Sequence, residues 1–133
     1  MFEKCTNLTI VELGEGVTDI QKDCFANSGL ASINIPDTVT NIDNGAFYEC
    51  SKLKNAVIGN GVKDIGKKAF INCSSLESVT IGNSVRNIGD YGFAFDTALK
   101  SVTVPGSVEN LGAGCFYKCS SMTEAVIGNG VQA

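Results

Sequence analysis

Histidine and tryptophan are absent from this chain of 133 residues, and proline occurs only twice. Without histidine there is no Ser-His-Asp triad, no Cys-His pair and no imidazole metal ligand. No apolar run approaches the ~18 residues of a membrane-spanning helix. Basic side chains are few, ten against fourteen acidic, for a net charge of −4. A nucleic-acid binder needs a basic stripe to neutralise phosphates, so the balance argues against that class. The opening Met1-Phe2-Glu3-Lys4-Cys5 has neither the basic n-region nor the apolar h-region of a secretory leader. There is no Gly-x-Ser-x-Gly elbow. Gly59-Asn60-Gly61 and Gly128-Asn129-Gly130 lack the Lys-Ser/Thr that completes a phosphate loop, and read as turns. Cys115-x-x-x-Cys119 stands without the second cysteine pair that zinc would need. The expectation is a protein without catalysis, cofactor or metal.

What the chain does have is a period. Phe2, Phe25, Phe47, Phe70, Phe93 and Phe116 fall 23 residues apart, with one step of 22. Six residues after each Phe, or five after Phe25, comes Leu8, Leu30, Leu53, Leu76, Leu99 or Met122. Further columns follow in register: Val11, Ile33, Ala56, Val79, Val102 and Ala125, then Leu13, Ile35, Ile58, Ile81, Val104 and Ile127. Val17, Val39, Val62, Val85, Val108 and Val131 form the next, and Ile20, Ile42, Ile65, Ile88 and Leu111 the last. A fixed period in this range is the mark of a solenoid. Each unit then buries its apolar side chains against the units on either side, and the core is a column. Residues 1–133 read as one array of five to six units. The pattern enters mid-unit and stops mid-unit at Val131-Gln132-Ala133, with no polar capping repeat. A piece of a longer protein is expected, or an array whose ends another molecule covers.

Within a unit, Leu76-Glu77-Ser78-Val79-Thr80-Ile81 alternates as a half-buried strand should, with Leu76, Val79 and Ile81 inward. Gly14, Gly59, Gly82 and Gly128, or Pro36 and Pro105, then turn the chain; the glycines fit a position of positive φ. A second short extended piece, Ser84 to Ile88, turns Val85 and Ile88 inward. The Ala-Phe-x-x-Cys segment is too short for a full helix and reads as a single helical or 3-10 turn, its Phe plugging the core. Adjacent units pair their strands in parallel along the axis.

Six cysteines would suit a disulfide framework, but the repeat places them otherwise. Cys5, Cys50, Cys73 and Cys119 share one column with Ser28 and Asp96, and Cys24 and Cys115 lie in the small-residue column before the Phe. Stacked Cβ atoms about 4.8 Å apart are too distant for a relaxed disulfide. Free, buried thiols are expected. Two units depart from the pattern. The Phe25 unit is one residue short at Ser28-Gly29-Leu30, and in Tyr91-Gly92-Phe93-Ala94-Phe95-Asp96 an Asp replaces the Cys while Phe95 adds a second aromatic. Asp96 is expected to accept turn backbone N–H groups rather than bind a ligand or metal. Of the two glycosylation-type sequons, Asn7-Leu8-Thr9 and Asn72-Cys73-Ser74, the second runs into a buried column.

The pattern Ala-Phe-x-x-Cys-x-x-Leu-x-x-Val-x-Ile-[Gly/Pro]-x-x-Val-x-x-Ile-Gly, carried by AFINCSSLESVTIGNSVRNIG at 69–89, resembles the BspA-like leucine-rich-repeat family. AFYECSKLKNAVIGNGVKDIG at 46–66 and CFYKCSSMTEAVIGNGV at 115–131 follow it with small changes. The resemblance spans essentially the whole chain. It implies a β-rich, right-handed, slightly curved leucine-rich-repeat solenoid, and a role in adhesion or recognition at a cell surface or in a secreted protein. It brings no catalytic residue and no cofactor.

The surface best placed to meet a partner is the outward face of the long strands. It carries Ser32 and Asn34, Asn55, Ser78 and Thr80, and Ser101 and Thr103, with Lys54, Glu77 and Lys100 beside them as cross-strand pairs. Short neutral hydrogen-bonding groups on a rigid sheet suit a protein or glycan met through many weak contacts, though an exposed strand must be polar in any case. The competing expectation is a structural scaffold that self-associates end to end through its open repeats. Free thiols suit that alternative, since a reducing compartment tolerates them.

Overall fold

The computed structural model of the protein describes residues 8–128. Phe2, Cys5, Asn7, Val131 and both outermost edges of the array lie outside them. The chain winds as a parallel β-solenoid in which each turn contributes a long strand, a short strand and a wall of tight turns.

The short strands β1 (Asp19–Ile20), β3 (Asn41–Ile42), β5 (Asp64–Ile65), β7 (Asn87–Ile88) and β9 (Asn110–Leu111) form one continuous parallel sheet in that order. The long strands β2 (Ser32–Ile35), β4 (Asn55–Ile58), β6 (Ser78–Thr80), β8 (Ser101–Val104) and β10 (Glu124–Ile127) stack along another wall. Register follows the repeat: Ser32 lies beside Asn55 and Asn55 beside Ser78, while Asp64 lies beside Asn87 and Asn87 beside Asn110. Alternation then sends Ile33, Ile35, Ala56 and Ile58 inward and their neighbours to solvent.

Between these walls the predicted columns form one apolar core. Leu30, Leu53, Leu76 and Leu99, and Val39, Val62, Val85 and Val108, are fully buried. At the first and last described turns Leu13, Val17 and Met122 are only partly covered, as expected where burial comes from the neighbouring unit. The phenylalanines make the spine. Phe25, Phe47, Phe70, Phe93 and Phe116 stack nearly parallel, with centroids 5.3, 4.8, 5.2 and 5.5 Å apart along the series. Burying each is worth about 1.5–3 kcal/mol, and each ring pair adds ~0.5–1.5 kcal/mol.

The Ala-Phe-x-x-Cys segments depart from the helical expectation. No helix occurs among the described residues; the segments are chains of hydrogen-bonded turns. In the unit of Phe47, Ala46, Tyr48 and Cys50 donate their N–H groups three residues back, to Asp43, Gly45 and Phe47. The intervening Gly45, Phe47 and Glu49 donate theirs to Lys67, Ala69 and Ile71 of the next unit. Every other amide thus points along the axis. The two residues flanking the Phe at two positions' distance adopt left-handed backbone to allow it: Asp23 and Asn27, Gly45 and Glu49, Lys68 and Asn72, Tyr91 and Phe95, Gly114 and Lys118. A helix would turn all its amides along its own axis, leaving none to join one unit to the next.

The turn glycines are also used differently from expectation. Gly14, Gly59, Gly82 and Gly128 do not take positive φ. Gly59 is needed for proximity: a Cβ there would stand 2.5 Å from the Ile35 carbonyl oxygen of the preceding unit. In the short unit, the turn that links Cys50 to Leu53, Cys73 to Leu76 and Asp96 to Leu99 has no counterpart before Leu30. Ser28-Gly29 bridges that gap directly.

Candidate functional site

All seven residues predicted for the partner-facing surface lie on the long-strand wall and are exposed: Ser32, Asn34, Asn55, Ser78, Thr80, Ser101 and Thr103. They form two rows. Ser32, Asn55, Ser78 and Ser101 make one, and Asn34, Thr80 and Thr103 stand in the other with Val57 and Val126, which are 43% and 48% exposed.

The wall is not uniform. Strands β2, β4 and β6 form one sheet, β8 and β10 another, and no strand pairing joins β6 to β8. The bond that enters each strand shows the same break. Lys54 and Glu77 donate to Ala31 and Lys54 at 2.8 Å, whereas Lys100 reaches Glu77 only at 3.5 Å. Behind the break the core is slightly uncovered: Val79 and Ile81 are 8% exposed against 1% for Ala56 and Ile58. A shallow groove of about 310 Å³ results, lined by Ser78, Thr80, Ser101 and Thr103 over Val79 and Val102. The hydroxyls of Thr80, Ser101 and Thr103 have no partner among the described residues, while Ser78 Oγ donates to Asn55 Oδ1 at 2.6 Å. Four predicted residues are therefore brought together at one parting; Ser32, Asn34 and Asn55 continue the surface away from it.

Lys54, Glu77 and Lys100 do not pair. No ion pair joins them in the described structure, since two long exposed side chains gain little by fixing one geometry. Asparagine and aspartate form ladders at the repeat period. Asn87 Nδ2 donates to Asp64 Oδ1 and Asn110 Nδ2 to Asn87 Oδ1, each at 2.7 Å, along the short-strand wall. At the corners, Asp37 Oδ1 accepts from Asn60 N, Asn44 Oδ1 from Lys67 N and Asp90 Oδ1 from Ala113 N. The signal was present as Asp/Asn columns at the repeat period. Those side chains bond one another or a backbone N–H of the neighbouring unit, whereas the hydroxyls of Thr80, Ser101 and Thr103 have no partner among the described residues.

The thiols are free at Cys24, Cys50, Cys73, Cys115 and Cys119. Cys50, Cys73 and Cys119 donate from Sγ to the carbonyls of Phe25, Phe47 and Phe93, one unit back, at 3.1, 3.3 and 3.1 Å. Burial pushes the Cys73 thiol well above its ordinary range, Cys115 to about 12 and Cys119 to about 11. Such thiols are inert packing groups. Among the described residues no three His, Cys, Asp or Glu side chains converge as metal ligands. Asp96 does accept a backbone N–H, as expected, but from Cys73 of the neighbouring unit, at 2.8 Å.

These stacked parallel walls around an apolar column define a leucine-rich-repeat solenoid. The chain belongs to the BspA type leucine rich repeat family, which it matches in six copies over residues 1–98 and 41–133. Among solved structures it is similar to a leucine-rich repeat protein from Bacteroides ovatus, at 25% identity and TM-score 0.75, covering 97% of this chain and 39% of that one. A leucine rich cell surface protein from Faecalibacterium prausnitzii is 27% identical, with TM-score 0.80, over 90% of this chain and 31% of that one. A leucine-rich repeat protein of T. pallidum is 25% identical, with TM-score 0.74, over 77% and 50%. The chain thus spans between 31% and 50% of the length of these relatives. No curated protein matches it.

Proposed function

We propose that this chain is a non-catalytic recognition module of a cell-surface protein, binding a protein or glycan through the long-strand face, with the β6–β8 groove at its centre. One observation carries the reading: among the described residues the long-strand wall parts at one joint, and there Thr80, Ser101 and Thr103 turn unpartnered hydroxyls outward over a slightly uncovered apolar floor. Unsatisfied donors and acceptors on rigid strands can bond a ligand without first breaking an internal bond, and lose little entropy in doing so. The naming of a similar protein as a leucine rich cell surface protein supports the location. The absence of histidine from the whole chain supports a role without acid–base catalysis.

The test is binding to host-protein and glycan arrays, and to whole cells, by the chain and by a variant with Ser78→Ala, Thr80→Val, Ser101→Ala and Thr103→Val together. These positions are exposed, so the variant should keep its circular dichroism and its melting temperature. Binding should fall at least tenfold. Undiminished binding by a folded variant would remove the groove from the proposal.

A further inference from the structure

The column that holds Cys50, Cys73 and Cys119 follows one hydrogen-bonding rule. Each side chain donates to the carbonyl of the Phe one unit back. The Cys50 and Asp96 backbone N–H groups lie beside the Cys73 and Cys119 sulfurs, although the Cys50 amide itself bonds the Phe47 carbonyl, at 3.3 Å. Asp96 occupies the same place between Cys73 and Cys119. Its Oδ1 takes the Cys73 N–H at 2.8 Å. Its Oδ2 is fully buried and has no partner among the described residues. Counting back as for the cysteines, the carbonyl it should serve is that of Phe70, and no described donor reaches that oxygen. An unbonded carboxylate oxygen and an unbonded carbonyl left over in one buried row are two acceptors short of one proton.

We propose that Asp96 is kept as the neutral carboxylic acid, donating from Oδ2 to the Phe70 carbonyl, and that losing this proton loosens the joint between the units of Phe70 and Phe93. Among the described residues, the titratable groups that face the carboxyl are thiols: Cys73 from the unit before, and Cys115 and Cys119 from the unit after. No cation stands among them, so nothing compensates a buried negative charge. Burial accordingly lifts this carboxyl to about 9. The joint it spans is the one at which β6 and β8 fail to pair, five residues along the chain from Asp96. The inference rests on the hydrogen bonding of the column and is independent of what the groove binds.

The sign follows from linkage. With the folded carboxyl raised, the unfolded chain releases its proton first, near the ordinary carboxylate value of about 4. The stabilisation is therefore complete below that pH and is lost as pH rises through about 9. Across that window the folding equilibrium constant should fall about tenfold per pH unit, relative to a variant without the acid.

The experiment compares the wild-type chain with Asp96→Cys, which restores the column residue, and Asp96→Asn. The amide of the second can accept from Cys73 and donate to Phe70 without titrating. Denaturant unfolding between pH 5 and 9 should show the relative decline for wild type and none for either variant. Infrared spectra of Asp-labelled protein at neutral pH should show the carbonyl stretch of a protonated acid, absent from Asp96→Asn. Amide exchange in β6 and β8, corrected for intrinsic rate, should accelerate above pH 9 in wild type alone. If Asp96→Cys fails to fold, Asp96→Asn and the infrared band still decide. A carboxylate at neutral pH, or parallel pH profiles for wild type and Asp96→Asn, would overturn the proposal.

Discussion

Gly82 packs against Gly59 of the preceding unit so closely that any Cβ on Gly82 would overlap the Gly59 carbonyl. The obstacle is backbone, which cannot swing aside as a side chain would. Gly82→Ala should therefore destabilise the array by about 1–3 kcal/mol, the usual cost of overpacking. Gly14, at the equivalent turn, has open space around the position of a Cβ and no left-handed φ. Gly14→Ala should leave stability unchanged or raise it by about 0.4–1 kcal/mol. Urea unfolding of the two variants checks the contrast, and equal effects would mean that the turns are not in contact.

Phe70 is the middle ring of the spine, stacked at 4.8 Å on Phe47 and 5.2 Å on Phe93. Phe70→Ala should cost about 3–5 kcal/mol. The loss should fall on both neighbouring interfaces, so hydrogen exchange should quicken in β4 and β8 as well as β6. Damage confined to one unit would contradict the shared column.

Lys68 is exposed and holds φ of 57°, whereas Lys67 beside it is exposed with ordinary backbone. A left-handed L-residue costs about 1–2 kcal/mol. Lys68→Gly should thus raise the melting temperature although it removes a side chain. Lys67→Gly should lower it by the usual ~0.5–1 kcal/mol equivalent.

Cys50 and Cys73 are fully enclosed, while Cys24 is half-exposed. In a Cys5→Ser background, brief alkylation of the folded chain at neutral pH should modify Cys24 first and spare Cys50, Cys73 and Cys115. All should react after unfolding. Mass should be the same with and without reductant. A mass lower by two hydrogens without reductant would show a disulfide.

The repeat was fully legible because one residue type recurs wherever one packing problem recurs: Phe in the spine, Leu and Val beneath the strands. Free thiols followed from the same placement. Ala-Phe-x-x-Cys reads as a single helical or 3-10 turn because it is too short for more, while its backbone is dictated by amides that must reach the next unit. The turn glycines were misread because proximity and positive φ both select glycine, and only the neighbouring unit distinguishes them. For the face, period-two alternation gave all seven exposed residues. The parting of β6 from β8 was not legible, since it depends on how one unit sits on another. Its neighbourhood was marked all the same, by Asp96 in a column of cysteines.

The turn-wall amides that bond a carbonyl of the neighbouring unit run one way. From Asp23 to Asn44, Phe47 to Ala69, Phe70 to Gly92 and Phe95 to Tyr117, the donor belongs to the earlier unit and the acceptor to the later. A wall built so has a head and a tail. Two copies brought together through like ends of this wall would set donor against donor, or acceptor against acceptor. A closed twofold dimer cannot be made that way. Copies joined through these backbone groups would meet head to tail, a geometry that propagates.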